Sequence, residues 1–294
     1  MNNKQSAAKP LDKALIRRYT EHKHSLRGLA EHYNTGRMTI KKYLIDNHVK
    51  IDSNRRDRRY KLTDCIFNKV NTQDTAYWLG FLYADGCVIE NNKVIQLNLS
   101  EKDMLHVETF RDFVGSTHPI RIQAAVESGF AGGSMCKIAF RSEKMYNDLV
   151  KLGCTPRKTN DIRIPFNKIP KGLVRHFIRG YFDGDGCVHV RKDTGKTTVC
   201  FAGNYLFLED IKSYFSQLVD SKITPNGNSI VNFDLRYSSG IDTVLLYQLF
   251  YFKAKTFMYR KRQMFKSSIS VRESLEESSE TKSSHPKENS KDKI

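Results

Sequence analysis

Acidic residues are scarce in this chain. Only 32 Asp and Glu stand against 49 Lys and Arg, which leaves a formal net charge of +17. The last 28 residues hold five basic and six acidic side chains, so the remainder carries +18. An excess of that size points to a polyanionic partner, most simply a nucleic acid. Long apolar runs are also missing. None approaches the ~18 residues of a membrane span, and residues 1–13 contain no apolar signal region. A soluble, intracellular protein with no membrane partner is expected. The six cysteines, at 65, 87, 136, 154, 187 and 200, include no Cys-x-x-Cys pair, which argues against a structural zinc site and predicts reduced thiols. No Walker loop, Ser-His-Asp or Cys-His arrangement or His-rich nuclease motif occurs.

What is present is a repeat. Trp78 to Gly86 reads WLGFLYADG, and Ile178 to Gly186 reads IRGYFDGDG. Each is an apolar run with helical character that closes on Asp-Gly and continues as Cys-Val with an alternating pattern. Gly80 and Ala84 lie four residues apart, as do Gly180 and Gly184. Residues four apart share a helix face. A face of Gly and Ala lets two backbones approach closely, and glycine inside a helix costs up to ~1 kcal/mol relative to alanine. The spacing therefore predicts two helices packed against each other in one pseudo-symmetric core.

Asp85 and Asp185 close the two runs, with Gly86 and Gly186 as the expected helix-ending residues. A carboxylate at a helix C-terminus faces the negative end of the dipole. Two such ends side by side call for a cation, and an all-oxygen donor set suits a hard divalent ion, Mg2+ or Mn2+. Cys87 and Cys187 hold the same place in the two repeats and are expected to be buried small residues.

The paired runs resemble the motifs of the LAGLIDADG homing endonucleases in their single-chain, two-motif form, over roughly residues 65–266. Tyr83 departs from the family pattern, which commonly has an acid there. The resemblance implies an α+β fold: two pseudo-symmetric αββαββα halves with saddle-shaped antiparallel DNA-binding sheets. It further implies a metal-dependent double-strand DNA endonuclease acting at a long, asymmetric site, DNA-associated in the cell and cytoplasmic if bacterial or phage-encoded. Asp85 and Asp185 would be the metal ligands, with the carbonyls of Ala84 and Gly184 adding oxygens. A lysine in each half would stand near the scissile phosphate. Lys158 and Lys255 occupy equivalent places, 73 residues after Asp85 and 70 after Asp185, and Lys144 is a rival in the first half. A catalytically silent DNA-binding regulator and an intron RNA maturase, with intron RNA as partner, are the alternatives.

In chain order, residues 1–11 read as a flexible N-terminus. Residues 12–48 form a small all-α unit that resembles a helix-turn-helix. Ser25 is placed to cap its second helix, and Asn34-Thr35-Gly36 forms its turn. Arg37, Thr39, Lys41 and Lys42 would face DNA from the third helix. Residues 49–64 form a basic linker. The first half spans 65–170 and the second 171–266, as an internal pseudo-dimer in a monomeric chain. Short segments of period two alternate Arg121 and Gln123 with Ile120 and Ile122, and Lys137 and Arg141 with Cys136, Ile138 and Phe140. Arg191 and Arg236 take similar places in the second half. These are half-buried strands, and their polar faces carry the side chains that grip phosphates and read base edges. A helix over 101–114 is expected to be capped by Ser100 and to bury Leu105, Phe110, Phe113 and Val114. Residues 267–294, with nine serines and no aromatic residue, are expected to be disordered.

Overall fold

The computed structural model describes residues 8–21, 24–51, 60–124, 133–156, 162–191, 194–218, 221–227 and 229–269. The basic stretch 52–59, Lys158 and the tail from 270 lie outside them. The chain divides into two compact units, with the boundary between Lys61 and Leu62.

The first unit contains α1 (Lys13–Thr20), α2 (Leu26–Tyr33) and α3 (Arg37–Asp46). Its boundaries follow local chemistry. The Ser25 hydroxyl accepts from the N–H groups of Arg27 and Gly28, both at 3.1 Å. Asn34 ends α2 in the left-handed region at φ 50°, which Asn tolerates better than most residues. Leu15, Tyr19, Leu29, Ala30, Tyr33, Ile40 and Leu44 make the core.

The second unit repeats one αββαββα order. Its first half runs α4 (Gln73–Ala84), β1 (Gly86–Ile89), β2 (Val94–Ser100), α5 (Met104–Phe113), β3 (Arg121–Gln123), β4 (Met135–Arg141) and α6 (Glu143–Lys151). The second runs α7 (Val174–Asp185), β5 (Gly186–Val190), β6 (Thr197–Gly203), α8 (Tyr205–Tyr214), β7 (Ser221–Pro225), β8 (Phe233–Tyr237) and α9 (Gly240–Tyr251), followed by a helix over 259–269, α10. The sheets share one order, β1-β2-β4-β3 and β5-β6-β8-β7, with every pairing antiparallel. Helix α10 runs past residue 266: Phe265 and Ser268 are buried, and the Ser268 carbonyl accepts from the Thr197 hydroxyl at 3.1 Å.

The trailing segments of the two halves cross over. After α6, Arg163 makes a two-pronged ion pair with Asp210 of α8 at 2.8 and 2.6 Å, and the Ile164 N–H joins it at 2.9 Å. After α9, Thr256 donates to Asp74 at 2.6 Å, and Arg260 grips Asp103 with two bonds at 3.0 and 2.9 Å. Each half is thus clasped by the tail of the other.

The expected cap at Ser100 does not form. A short 3-10 turn over Glu101–Asp103 precedes α5, and Asp103 turns its carboxylate to Arg260. Leu105 is 69% exposed, while His106 and Val107 are buried. Of the expected stripe, Phe110 and Val114 are buried and Phe113 packs against the core, so Leu105 alone is misplaced.

Two buried histidines make this unit acid-sensitive. Burial holds His106 down to about 3 from 6.5. Burial, helped by Arg179 and Arg175, holds His176 down to about 4. Below pH 6.5 the unfolded chain binds protons that the folded chain refuses, so stability is complete above that pH and falls toward pH 4. At about 1.4 kcal/mol per pH unit and group, the pair costs up to about 4 kcal/mol at pH 5. Thermal melts from pH 7.5 to 4.5 should show this slope, and His176→Asn should flatten it. A flat wild-type profile would contradict the assignment.

Candidate functional site

Helices α4 and α7 touch along the glycine face. A Cβ on Gly80 would stand 1.9 Å from the Phe177 carbonyl oxygen, and one on Gly180 the same distance from that of Tyr77. At their C-terminal ends, a Cβ on Gly184 would fall 2.4 Å from the Ala84 Cβ and 3.1 Å from Asp85 Oδ2. Asp85 and Asp185 are therefore delivered to one place. Burial raises the Tyr181 hydroxyl pKa far above the ordinary value, and Asp185 and Asp85 both add to the rise.

Both helices pass into strands without a loop. Gly186 is extended, at φ −83° and ψ 161°, so it is not the left-handed cap that a helix-ending glycine suggests. Space explains it: a Cβ there would lie 2.2 Å from the Phe182 ring, and one on Gly86 would lie 2.5 Å from Leu82. Because both glycines point inward, Cys87 and Cys187 point outward. They are exposed, contrary to the expectation of burial.

A third charged group, Lys261, has entered this place. Its Nζ donates to the carbonyl oxygens of Phe182 at 3.3 Å, of Gly184 at 2.9 Å, and of Gly186. The first two are carbonyls of the last turn of α7, of which that of Phe182 also accepts from the Gly186 N–H, and a cation is the favourable occupant at a helix C-terminus. Burial lowers the lysine pKa, and Asp183, Asp85 and Asp185 pull it back up. The Gly184 carbonyl, expected to face a metal, is thus held by an ammonium group.

Asp183 fixes the route by which Lys261 arrives. It is fully buried and accepts from Tyr77 OH at 2.8 Å, Tyr251 OH at 2.9 Å and the Met258 N–H at 2.7 Å. The last bond anchors the chain just before α10, which carries Lys261. Tyr83, at the matching place in the first copy, instead donates to the Leu152 carbonyl at 2.8 Å. Each motif helix therefore ties down the end of its own half with a different side chain.

The other lysines stand elsewhere. The Lys255 N–H reaches Gln73 Oε1 at 3.4 Å, at the start of α4. Twelve residues of helix, about 18 Å of rise, separate that end from Asp85. Lys144 pairs with Asp148 one turn along α6, at 2.6 Å. Lys158 lies outside the described residues. The signal for Lys261 was the basic run Tyr259 to Arg262, which carries no mark of the crossover that brings it in.

On the first sheet Arg121 and Lys137 are register partners, with Asn98 on the far side of Lys137. Gln123 pairs with Met135, and Arg141 ends β4. On the second sheet a concavity of about 820 Å³ is lined by Asp185, His189, Arg191, Lys196 and Arg236, among others. Arg236 is tethered by Asp234 at 2.7 Å. Cys187 and Cys200 face the same space. The hydrogen bond with Cys200, helped by Lys261 and Arg236, draws the Cys187 thiol below its ordinary pKa, while the same bond and burial push Cys200 up. In the first unit, Arg37, Thr39 and Lys42 are exposed on α3 and Lys41 is half-buried.

Among the described residues no group of three His, Cys, Asp or Glu side chains could hold a metal. A divalent ion between Asp85 and Asp185 would depend on two carboxylates plus oxygens from water or substrate. That donor set fits Mg2+, which keeps several waters and binds through one or two carboxylates together with phosphates. No described helix is long and apolar enough to cross a membrane.

Residues 172–246 match the family model of the LAGLIDADG-like domain. Similar solved structures include the meganuclease I-SmaMI bound to uncleavable DNA, at 11% identity and a TM-score of 0.44, covering 66% of this chain and 88% of that one. The I-LtrWI LAGLIDADG homing endonuclease bound to target DNA is similar at 9% identity and 0.48, covering 69% and 92%. The I-GzeII homing endonuclease in complex with its DNA target gives 12% and 0.48, covering 69% and 91%. No curated protein matches the chain in sequence.

Proposed function

We propose that this protein is a divalent-metal-dependent, site-specific DNA endonuclease of the homing type. The observation that carries the reading is the convergence of Asp85 and Asp185 at the touching ends of α4 and α7, beside strands rich in Arg and Lys. Asp85 and Asp185 would hold Mg2+, which when bound stabilises charge on a phosphate and activates water. The chain's own residues do the rest. The glycine faces bring the carboxylates together, and their touching backbones leave little room for rearrangement. Lys261 keeps a positive charge beside them, where charge develops on the phosphate. Arg121, Gln123, Lys137 and Arg141 on one sheet, with Arg191 and Arg236 on the other, grip two half-sites that differ because the two faces differ. Arg37, Thr39, Lys41 and Lys42 extend the footprint from the first unit.

The test is a cleavage assay on the cloned insertion site of the gene, rejoined without the gene, with Mg2+ and with EDTA. A discrete Mg2+-dependent double-strand cut is expected. Tight duplex binding with no cut in Mg2+ or Mn2+ would sink the nuclease reading. Preference for the flanking intron transcript over the duplex would replace DNA with RNA.

A further inference from the structure

Cys187 on β5 and Cys200 on β6 are register partners. Partners in an antiparallel pair project from the same face with Cα atoms about 4.5–5.5 Å apart. Disulfides require roughly 4.4–6.8 Å. Both side chains line the concavity of the second sheet. Cys187 is exposed, so small oxidants can reach it. The first half has no counterpart: Cys87 holds the matching place on β1, but its partner on β2 is Gln96. The fold therefore does not require a thiol pair here.

We propose that Cys187 and Cys200 form an oxidant-responsive dithiol site, with a hydroperoxide as co-reactant and a cross-strand disulfide as product. The Cys187 sulfur attacks the peroxide O–O bond and becomes a sulfenic acid, and the alcohol, or water from H2O2, leaves. The Cys200 sulfur then attacks the sulfenic sulfur, the S–S bond forms and water departs with the Cys200 proton. Two thiols lose two electrons and two hydrogens in all, and the peroxide gains them. A dithiol reductant reverses the step. Oxidation thus marks one half of the concave surface, two residues from Asp185, and leaves the other half unchanged.

The test uses the full-length protein and needs no DNA, so it stands apart from the nuclease reading. Protein is treated with graded H2O2, capped with N-ethylmaleimide and weighed intact. The reduced chain, with six free cysteines, should take six caps. Mild oxidation should remove two caps and two hydrogens, give a Cys187–Cys200 linked peptide, and reverse with dithiothreitol. Exposed Cys87 serves as comparator: its cross-strand partner is Gln96, so its oxidation should give no linked peptide within the first sheet. In Cys200→Ser, dimedone should trap a sulfenic acid on Cys187 and no link should form. Linkage at other cysteines, or Cys187 and Cys200 keeping their caps at peroxide levels that consume Cys87, would overturn the proposal.

Discussion

Gly180→Ala should cost at least about 3 kcal/mol, more than a typical overpacked core substitution. The new methyl would sit 1.9 Å from the Tyr77 carbonyl oxygen and 2.8 Å from the Phe81 N. Both are backbone atoms of a regular helix and cannot turn aside as a side chain could. Only separation of α4 from α7 relieves the clash, and that opens the seam on which both halves are built. Gly80→Ala should behave alike, since its methyl would meet the Phe177 carbonyl oxygen at the same distance. For a unit of this size the melting midpoint should fall by about 10 °C, at roughly 2–4 °C per kcal/mol. Gly172→Ala is the control: a Cβ there meets nothing within 4 Å, so its melt should match the wild type. Wild-type stability in Gly180→Ala would mean that the helices are not in backbone contact.

That seam was legible in the sequence because its cause is local. Small residues four apart can be recognised without a partner, and two copies one hundred residues apart supply the partner. The three-helix unit was legible for the same reason, through Ser25 as cap and Asn34 as turn. The repeated order of helices and strands follows from period-two segments such as Gln96 to Ser100, whose partners Leu97 and Leu99 are buried. The misreadings have other causes, the first of them contact between residues far apart in the chain. Asp103 looked like part of a helix capped by Ser100, yet it is turned aside by Arg260, 157 residues away. The exposure of Cys187 depends on the helix passing into the strand without a loop, so that Gly186 and not Cys187 takes the inward place. Lys255 was chosen for its repeat position, but a repeat position says nothing of distance from Asp85, and Lys255 stands at the start of α4.

Asp185→Asn should abolish cleavage, by roughly a thousandfold or more, and leave duplex affinity within a few-fold of wild type. The carboxylate is at the surface of the concavity, so its loss removes a charge that would hold an ion without removing any sheet contact to phosphate. Asp85→Asn should do the same, because the two carboxylates serve one place. The lysines then separate chemistry from repetition. Lys261→Met removes one donor from the carbonyls of Phe182, Gly184 and Gly186. Unsatisfied buried acceptors cost about 1–3 kcal/mol, so this variant should melt earlier as well as cut more slowly. Lys255→Met, at the other end of α4, should change neither property. Single-turnover rates and melts on the four variants decide the matter. Full cleavage in Asp185→Asn would remove the metal-centre reading. Slow cleavage in Lys255→Met beside normal cleavage in Lys261→Met would return the catalytic lysine to the place marked by the repeat and leave Lys261 as a helix-capping cation.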